Sequence, residues 1–160
     1  MARTGLAVIG LGLALLAAPA LAQTLALSGP DGQSASLTAD DIAAMPHVKL
    51  TVTLEGQTTT YDGVPLNRLL ARVGAPSGKT LRGPALRDVV LVTGRDGYAA
   101  AIALAATDPA FRKDQVILAD RADGQPLPDR AGPFRLVVEG DLKAARCVRM
   151  VSTIQVRAEH

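Results

Sequence analysis

Beyond its first two dozen residues, no stretch of this chain keeps helical periodicity for more than about nine residues. Long crossover helices are therefore ruled out, and with them a doubly wound nucleotide-binding fold. What repeats instead is short apolar alternation punctuated by Gly, Pro, Ser and Asp. The pattern predicts an α+β domain, a β-rich body carrying a few short helices.

The elements follow in order. Leu25–Leu27 reads as a strand, Ser28–Gln33 as a turn, and Ser36–Leu37 as the return. Thr38 caps a short helix with Asp41 three residues later as its acidic partner, and Pro46 stops it. In the hairpin His47–Tyr61, Val48, Leu50, Val52 and Leu54 share one face, with Lys49, Thr51 and Thr53 on the other. Asp62–Pro65 reads as a turn, after which Leu66, Leu69, Leu70 and Val73 form the stripe of a sheet-packing helix ended by Gly74. A Gly/Pro/Ser loop covers Ala75–Pro84. Strands are predicted over Leu86–Thr93, buried on both faces, and over Ala99–Leu104, Val116–Asp120, Gly132–Val138 and Val151–Val156. In the last of these, Val151, Thr153 and Gln155 oppose Ser152, Ile154 and Val156. Ala144–Met150 has no clear state.

The front of the chain has its own logic. Arg3 precedes the apolar run Leu6–Leu16, and Ala20 and Ala22 occupy the small-residue positions of an Ala-x-Ala cleavage site. Leu6–Ala22 is at the bottom of the length that spans a bilayer, and Pro19 interrupts it. The expectation is an export signal, residues 1–22, cleaved after Ala22, with residues 23–160 acting as one domain in the periplasm. The formal charge of +2 is spread without a basic block, which argues against nucleic acid as a partner. Cys147 is the only cysteine, so no internal disulfide forms.

Familiar catalytic patterns are missing. His47, His160 and Cys147 have no metal-ligand spacing, and neither a phosphate-binding glycine loop nor a nucleophile elbow occurs. Polar residues collect instead in turns at strand ends. Asp96 and Tyr98 in Arg95-Asp96-Gly97-Tyr98 have two readings. Either Asp96 caps its own turn while Tyr98 fills the core, or the pair floors a shallow pocket. In the second case Asp96 accepts two N–H groups from a heterocycle and Tyr98 packs along its ring. Asp120, Arg135, Arg146 and Arg149 add partners suited to a flat, carbonyl-bearing ring or a phosphate. Cys147, between the last two, is either a small buried apolar residue or a thiol activated by its basic neighbours.

Taken together, Tyr61-Asp62-Gly63-Val64-Pro65-Leu66, Asp96-Gly97-Tyr98, Ile117-Leu118-Ala119, Asp123-Gly124-Gln125-Pro126-Leu127, Gly132-Pro133-Phe134-Arg135-Leu136-Val137-Val138 and Arg146-Cys147-Val148-Arg149 resemble the molybdopterin-binding domain of sulfite-oxidase-like proteins. The resemblance covers roughly Leu37–Val156. It implies the sulfite-oxidase-like fold, an α+β domain with a mixed, curled β-sheet and short helices. Sulfite oxidases place a cysteine on molybdenum from an early segment that also sends arginines to the pyranopterin phosphate. Here no cysteine lies between Met45 and Arg95, and Cys147 stands where small members usually carry tryptophan. On that ground the resemblance implies a non-catalytic member, like the short exported ones that bind a reduced pterin without metal. Those members signal to the periplasmic domain of a membrane-bound cyclic-di-GMP regulator. Molybdopterin ranks behind a free reduced pterin in this reading, and no cofactor is expected for catalysis. Asp96, Tyr98, Asp120, Arg135, Arg146, Cys147 and Arg149 are the expected pocket or rim. Two alternatives stay open, a molybdopterin-carrying subunit of an oxidoreductase and a ligand-free interaction module.

Overall fold

A computed structural model describes residues 23–158, so the expected signal segment 1–22 and His160 lie outside the described residues. Strands β1 (Thr24–Ser28) and β2 (Ser34–Thr38) form the first hairpin. Helix α1 (Ala39–Ala43) is fixed by the predicted box: Thr38 Oγ1 accepts the Asp41 N–H at 3.1 Å, and Asp41 Oδ2 accepts the Thr38 N–H at 2.8 Å. The backbone and side-chain hydrogen bonds from Thr38 hold the Asp41 carboxyl below its usual value.

Strands β3 (Val48–Leu54) and β4 (Gln57–Pro65) form the second hairpin, with Leu50 and Val52 buried and Lys49, Thr51 and Thr53 exposed as their alternation requires. Helix α2 (Leu66–Ala71) buries Leu66, Leu69 and Leu70, with Val73 just beyond it. Then come β5 (Val89–Gly94), β6 (Ala99–Ala103), β7 (Val116–Ala122), the two-residue β8 (Gln125–Pro126), β9 (Arg135–Val138) and β10 (Val151–Arg157).

Some boundaries differ from the sequence reading. Gly83–Arg87 winds into a 3₁₀ turn, so β5 starts at Val89; Val90, Val92 and Gly94 are buried while their alternates are half-buried. Asp62–Pro65 does not turn but continues β4, with a bulge between Asp62 and Gly63 where it meets β7. A second bulge between Val151 and Thr153 resets the parity of β10, placing Val151 inside with Ile154 and Val156.

The strands build two five-stranded sheets. The first has the order β2-β1-β10-β5-β6, with β1 parallel to β10 and every other pair antiparallel. The second runs β3-β4-β7-β8, with β9 also paired to β7, and is wholly antiparallel. This corrects the expected architecture. The α+β class, the mixed pairing and the short helices are present, but the single curled sheet is replaced by two sheets, neither curled nor closed.

The main core draws on both sheets and both helices. A smaller cluster, Leu50, Val52, Tyr61, Ile117, Ala119 and Val137, occupies the other face of the second sheet. The sheets are stitched together by the stretch leading into β10. Leu136 N–H donates to Val148 O at 2.8 Å, Val151 N–H to Phe134 O at 2.9 Å, and Arg95 N–H to Met150 O at 2.9 Å.

Candidate functional site

The β5–β6 turn, the start of β9 and the stretch before β10 meet at this seam, and of the residues singled out above all but Asp120, which is on β7, lie on those three segments. In the turn, Asp96 Oδ1 accepts the Tyr98 N–H at 3.0 Å, which leaves Oδ2 free of any bond within the turn. Tyr98 does not fill the core. The residue is 51% exposed, and its hydroxyl donates to the Ala145 carbonyl at 2.6 Å, tying the turn to the 3₁₀ segment Ala144–Arg146. Asp96 therefore caps its own turn, as the first reading has it, and also lines a cleft, while Tyr98 stays out of the core.

That cleft measures ≈ 330 Å³ and is lined by Asp96, Tyr98, Arg135, Ala144, Cys147 and Arg149. Cys147 forms a buried wall, and burial pushes its thiol up, so it is neutral at ordinary pH despite the nearby arginines. Arg135 lies over the Tyr61 ring, its guanidinium carbon 5.4 Å from the centroid, and its Nε is buried without a hydrogen-bond partner. A buried guanidinium N–H without an acceptor is costly and marks a position where an acceptor belongs.

Arg135 and Arg149 also line a neighbouring cleft of ≈ 310 Å³ together with Gln57, Thr59, Tyr61 and Arg130, so the two clefts, together the groove, adjoin at these arginines. Arg130 and the Gln57–Tyr61 edge were not expected. Arg130 reads as an ordinary loop residue, and only the pairing of β4 with β7 carries Tyr61 toward the groove.

Two expected residues lie elsewhere. Arg146 turns away and gives Nε to Asp141 Oδ2 at 3.0 Å, and that hydrogen bond raises its pKa further. Asp120 lines a separate cleft of ≈ 360 Å³ with Ala43, His47, Lys49, Asp62 and Arg121. There His47 Nδ1 donates to the Met45 carbonyl at 2.7 Å, and its Nε2 is 3.3 Å from Asp120 Oδ1.

The groove's side chains suit a flat, anionic heterocycle: arginine forks to donate to phosphate, a carboxylate oxygen to accept from an amino-pyrimidine edge and a phenol face for a ring. Among the described residues no three His, Cys, Asp or Glu side chains converge on one point, so the polypeptide offers no metal cage of its own. The lining would suit the phosphate and the flat ring of a phosphorylated pterin.

The fold and groove define a pterin-cofactor domain, and comparison with known proteins makes the assignment specific. Residues 17–160 match the family described as the oxidoreductase molybdopterin binding domain, and the chain belongs to that family. It is 31% identical to mitochondrial sulfite oxidase of Homo sapiens and 32% identical to that of Rattus norvegicus, the match covering 83% of this chain and 28% of each relative. Among solved structures, the sulfane dehydrogenase SoxCD of Paracoccus pantotrophus superposes with a TM-score of 0.66 over 85% of this chain and 38% of that one. At 19% identity, that likeness is one of fold.

These findings correct the functional expectations. The family and its named relatives are oxidoreductases, which overturns the reading as a non-catalytic sensor and the leaning against an enzyme. Molybdopterin replaces a metal-free reduced pterin as the expected cofactor. The signalling partner, the periplasmic domain of a cyclic-di-GMP regulator, falls with the sensor reading that required it. The missing early cysteine misled that inference, because it concerned one metal ligand and said nothing about the rest of the site.

Proposed function

We propose that this chain holds molybdopterin in the groove around Arg135 and forms the cofactor-binding part of an oxidoreductase. The observation that carries this reading is a pair of adjoining clefts, in a chain of the molybdopterin-binding family, whose shared Arg135 has a buried and unpartnered N–H. When bound, molybdopterin supplies a redox-active metal able to exchange electrons in pairs. The chain's own residues bind and orient it. Arg135 and Arg149 present hydrogen-bond donors, Asp96 Oδ2 accepts from the amino-pyrimidine edge, and Tyr98 lies along the ring. Cys147 contributes an uncharged, water-excluding wall.

A redox cofactor must return to its starting oxidation state, so a second electron carrier is needed. We propose a redox domain or subunit as the partner. Protein isolated with its natural contents is expected to contain about one molybdenum and one organic phosphate per chain, measured by elemental analysis. Both should vanish when the protein is made in cells that cannot synthesise molybdopterin. A preparation from competent cells with neither would overturn the proposal.

We further propose that residues 1–22 are removed on export and that residues 23–160 act as one domain in the periplasm, on the strength of the apolar run and Ala-x-Ala site. Intact mass spectrometry of the secreted protein is expected to show Gln23 as the first residue. A mature chain that retains Met1 would end that idea.

A further inference from the structure

We infer that the cleft around Asp120 is a second binding site, for a free amino acid or a similar small zwitterion with its ammonium and carboxylate a few bonds apart. The cleft shares no lining residue with the groove around Arg135, so the site goes beyond the cofactor reading and does not depend on it.

An irregularity in the sheet brings the charges together. Gly63 pairs with Ala119 and Asp62 with Arg121, so Asp120 is the extra residue of the bulge between β4 and β7. In a regular ladder Asp120 and Arg121 would point to opposite faces. The bulge turns both toward the face that has Asp62 and its β3 partner Lys49. Two carboxylates and two cations therefore line one cleft of ≈ 360 Å³, a size that takes a small organic ligand. Opposite charges in register ordinarily pair, yet among the described residues Lys49, Asp62 and Arg121 form no ion pair.

The acceptor end of the cleft is the more exactly placed. The Met45 carbonyl can only accept, so His47 Nδ1 supplies the proton of their 2.7 Å bond. In the neutral ring Nε2 is then an acceptor, and it lies 3.3 Å from another acceptor, Asp120 Oδ1. That oxygen is buried and has no hydrogen-bond partner, so the contact with His47 does not satisfy it. An ammonium group, with three N–H donors on one centre, can serve Nε2, Oδ1 and the Asp62 carboxylate. Lys49 and Arg121, both exposed, are left to receive the ligand's own carboxylate. A simple cation would be repelled by those two, and a simple anion would leave Asp120 Oδ1 without a donor. A zwitterion meets both demands.

The test is calorimetric titration of the purified full chain with each standard amino acid in turn. The tightest binder is then compared with its N-acetyl and methyl-ester derivatives, each of which lacks one of the two charges. At least one amino acid is expected to bind with a Kd of about 1 mM or tighter, and each derivative at least about tenfold more weakly. Asp120→Asn keeps the side chain's shape and offers an amide N–H to His47 Nε2, so it supplies the missing donor itself. This variant should keep or raise the urea midpoint of the empty protein while binding the amino acid at least about tenfold more weakly. Lys49→Gln, at an exposed position, should also weaken binding without moving the midpoint. Absence of binding by any amino acid, derivatives that bind as well as their parent, or unchanged affinity in Asp120→Asn would each overturn the inference. A lowered midpoint in Asp120→Asn would do so too, because it would assign Asp120 to a structural ion pair with His47.

Discussion

Replacing Phe134 with alanine is expected to cost about 3–5 kcal/mol of stability, read as a lowered midpoint in urea. The chain has no tryptophan and two phenylalanines, and Phe111 is half-exposed. Phe134, 1% exposed, is therefore the one phenylalanine in the main core, where no larger side chain is as fully buried. Truncation removes the transfer energy of a ring and leaves a cavity among strands that cannot collapse independently, because Phe134 O accepts the Val151 N–H that joins the two sheets. Phe134→Leu should recover most of the loss, leaving about 1–1.5 kcal/mol. The functional consequence comes through Arg135, the next residue, whose backbone is held by the same packing. A Phe134→Ala protein less than about 1 kcal/mol weaker than wild type would show that this core is not the anchor of the groove.

The residues around Arg135 also show what could be read from the sequence and what could not. Local rules were reliable where one element decides the outcome. The Thr38–Asp41 box, the alternation of β3 and the apolar stripe of α2 need only near neighbours in the chain, and each forms where its residues predict. The turn at Asp96-Gly97-Tyr98 and its face toward a cleft were legible for the same reason. Long-range pairing was not. Asp62-Gly63 has the composition of a turn, yet Gly63 sits inside a strand because β7 passes so close that a Cβ there would lie 2.4 Å from Leu118 O. Nothing near Asp62 in the sequence announces that neighbour.

The same cause separates Asp120 from the arginine groove. Ala119 pairs with Arg135 and shares its face, so alternation sends the next residue, Asp120, to the opposite face and toward His47. The division into two open sheets likewise depends on β1 meeting β10, partners from the two ends of the described chain. Arg146 was lost to a shorter-range effect. The 3₁₀ turn Ala144–Arg146 swings its side chain toward Asp141, five residues earlier, while Arg149 remains on the groove. Residue type identified candidates for the site, and strand register selected among them.

Gly94→Ala is expected to be the most damaging single-methyl change at the site, costing about 3 kcal/mol and weakening cofactor binding with it. Gly94 is buried at the end of β5, where a Cβ would meet Arg149 O at 2.4 Å and Asp96 Oδ1 at 2.8 Å. The carboxylate could swing aside, but it would break its bond to the Tyr98 N–H. The Arg149 carbonyl is backbone, and the next residue is fixed by the Arg95 N–H bond to Met150 O, so it has little room to retreat. Relief of the clash must push apart the turn bearing Asp96 and the stretch bearing Cys147 and Arg149, both of which line the same cleft. Gly97→Ala is the control. Its φ of +82° carries a conformational penalty of about 1–2 kcal/mol, but nothing lies within 4 Å of the added methyl, so the walls stay in place. Urea unfolding of both variants, paired with titration of a phosphorylated pterin, separates the two costs. Gly94→Ala should lose more stability than Gly97→Ala and at least about tenfold in affinity, against little change for the control. If the two variants lose stability and affinity equally, the close approach of β5 to Arg149 does not shape the groove.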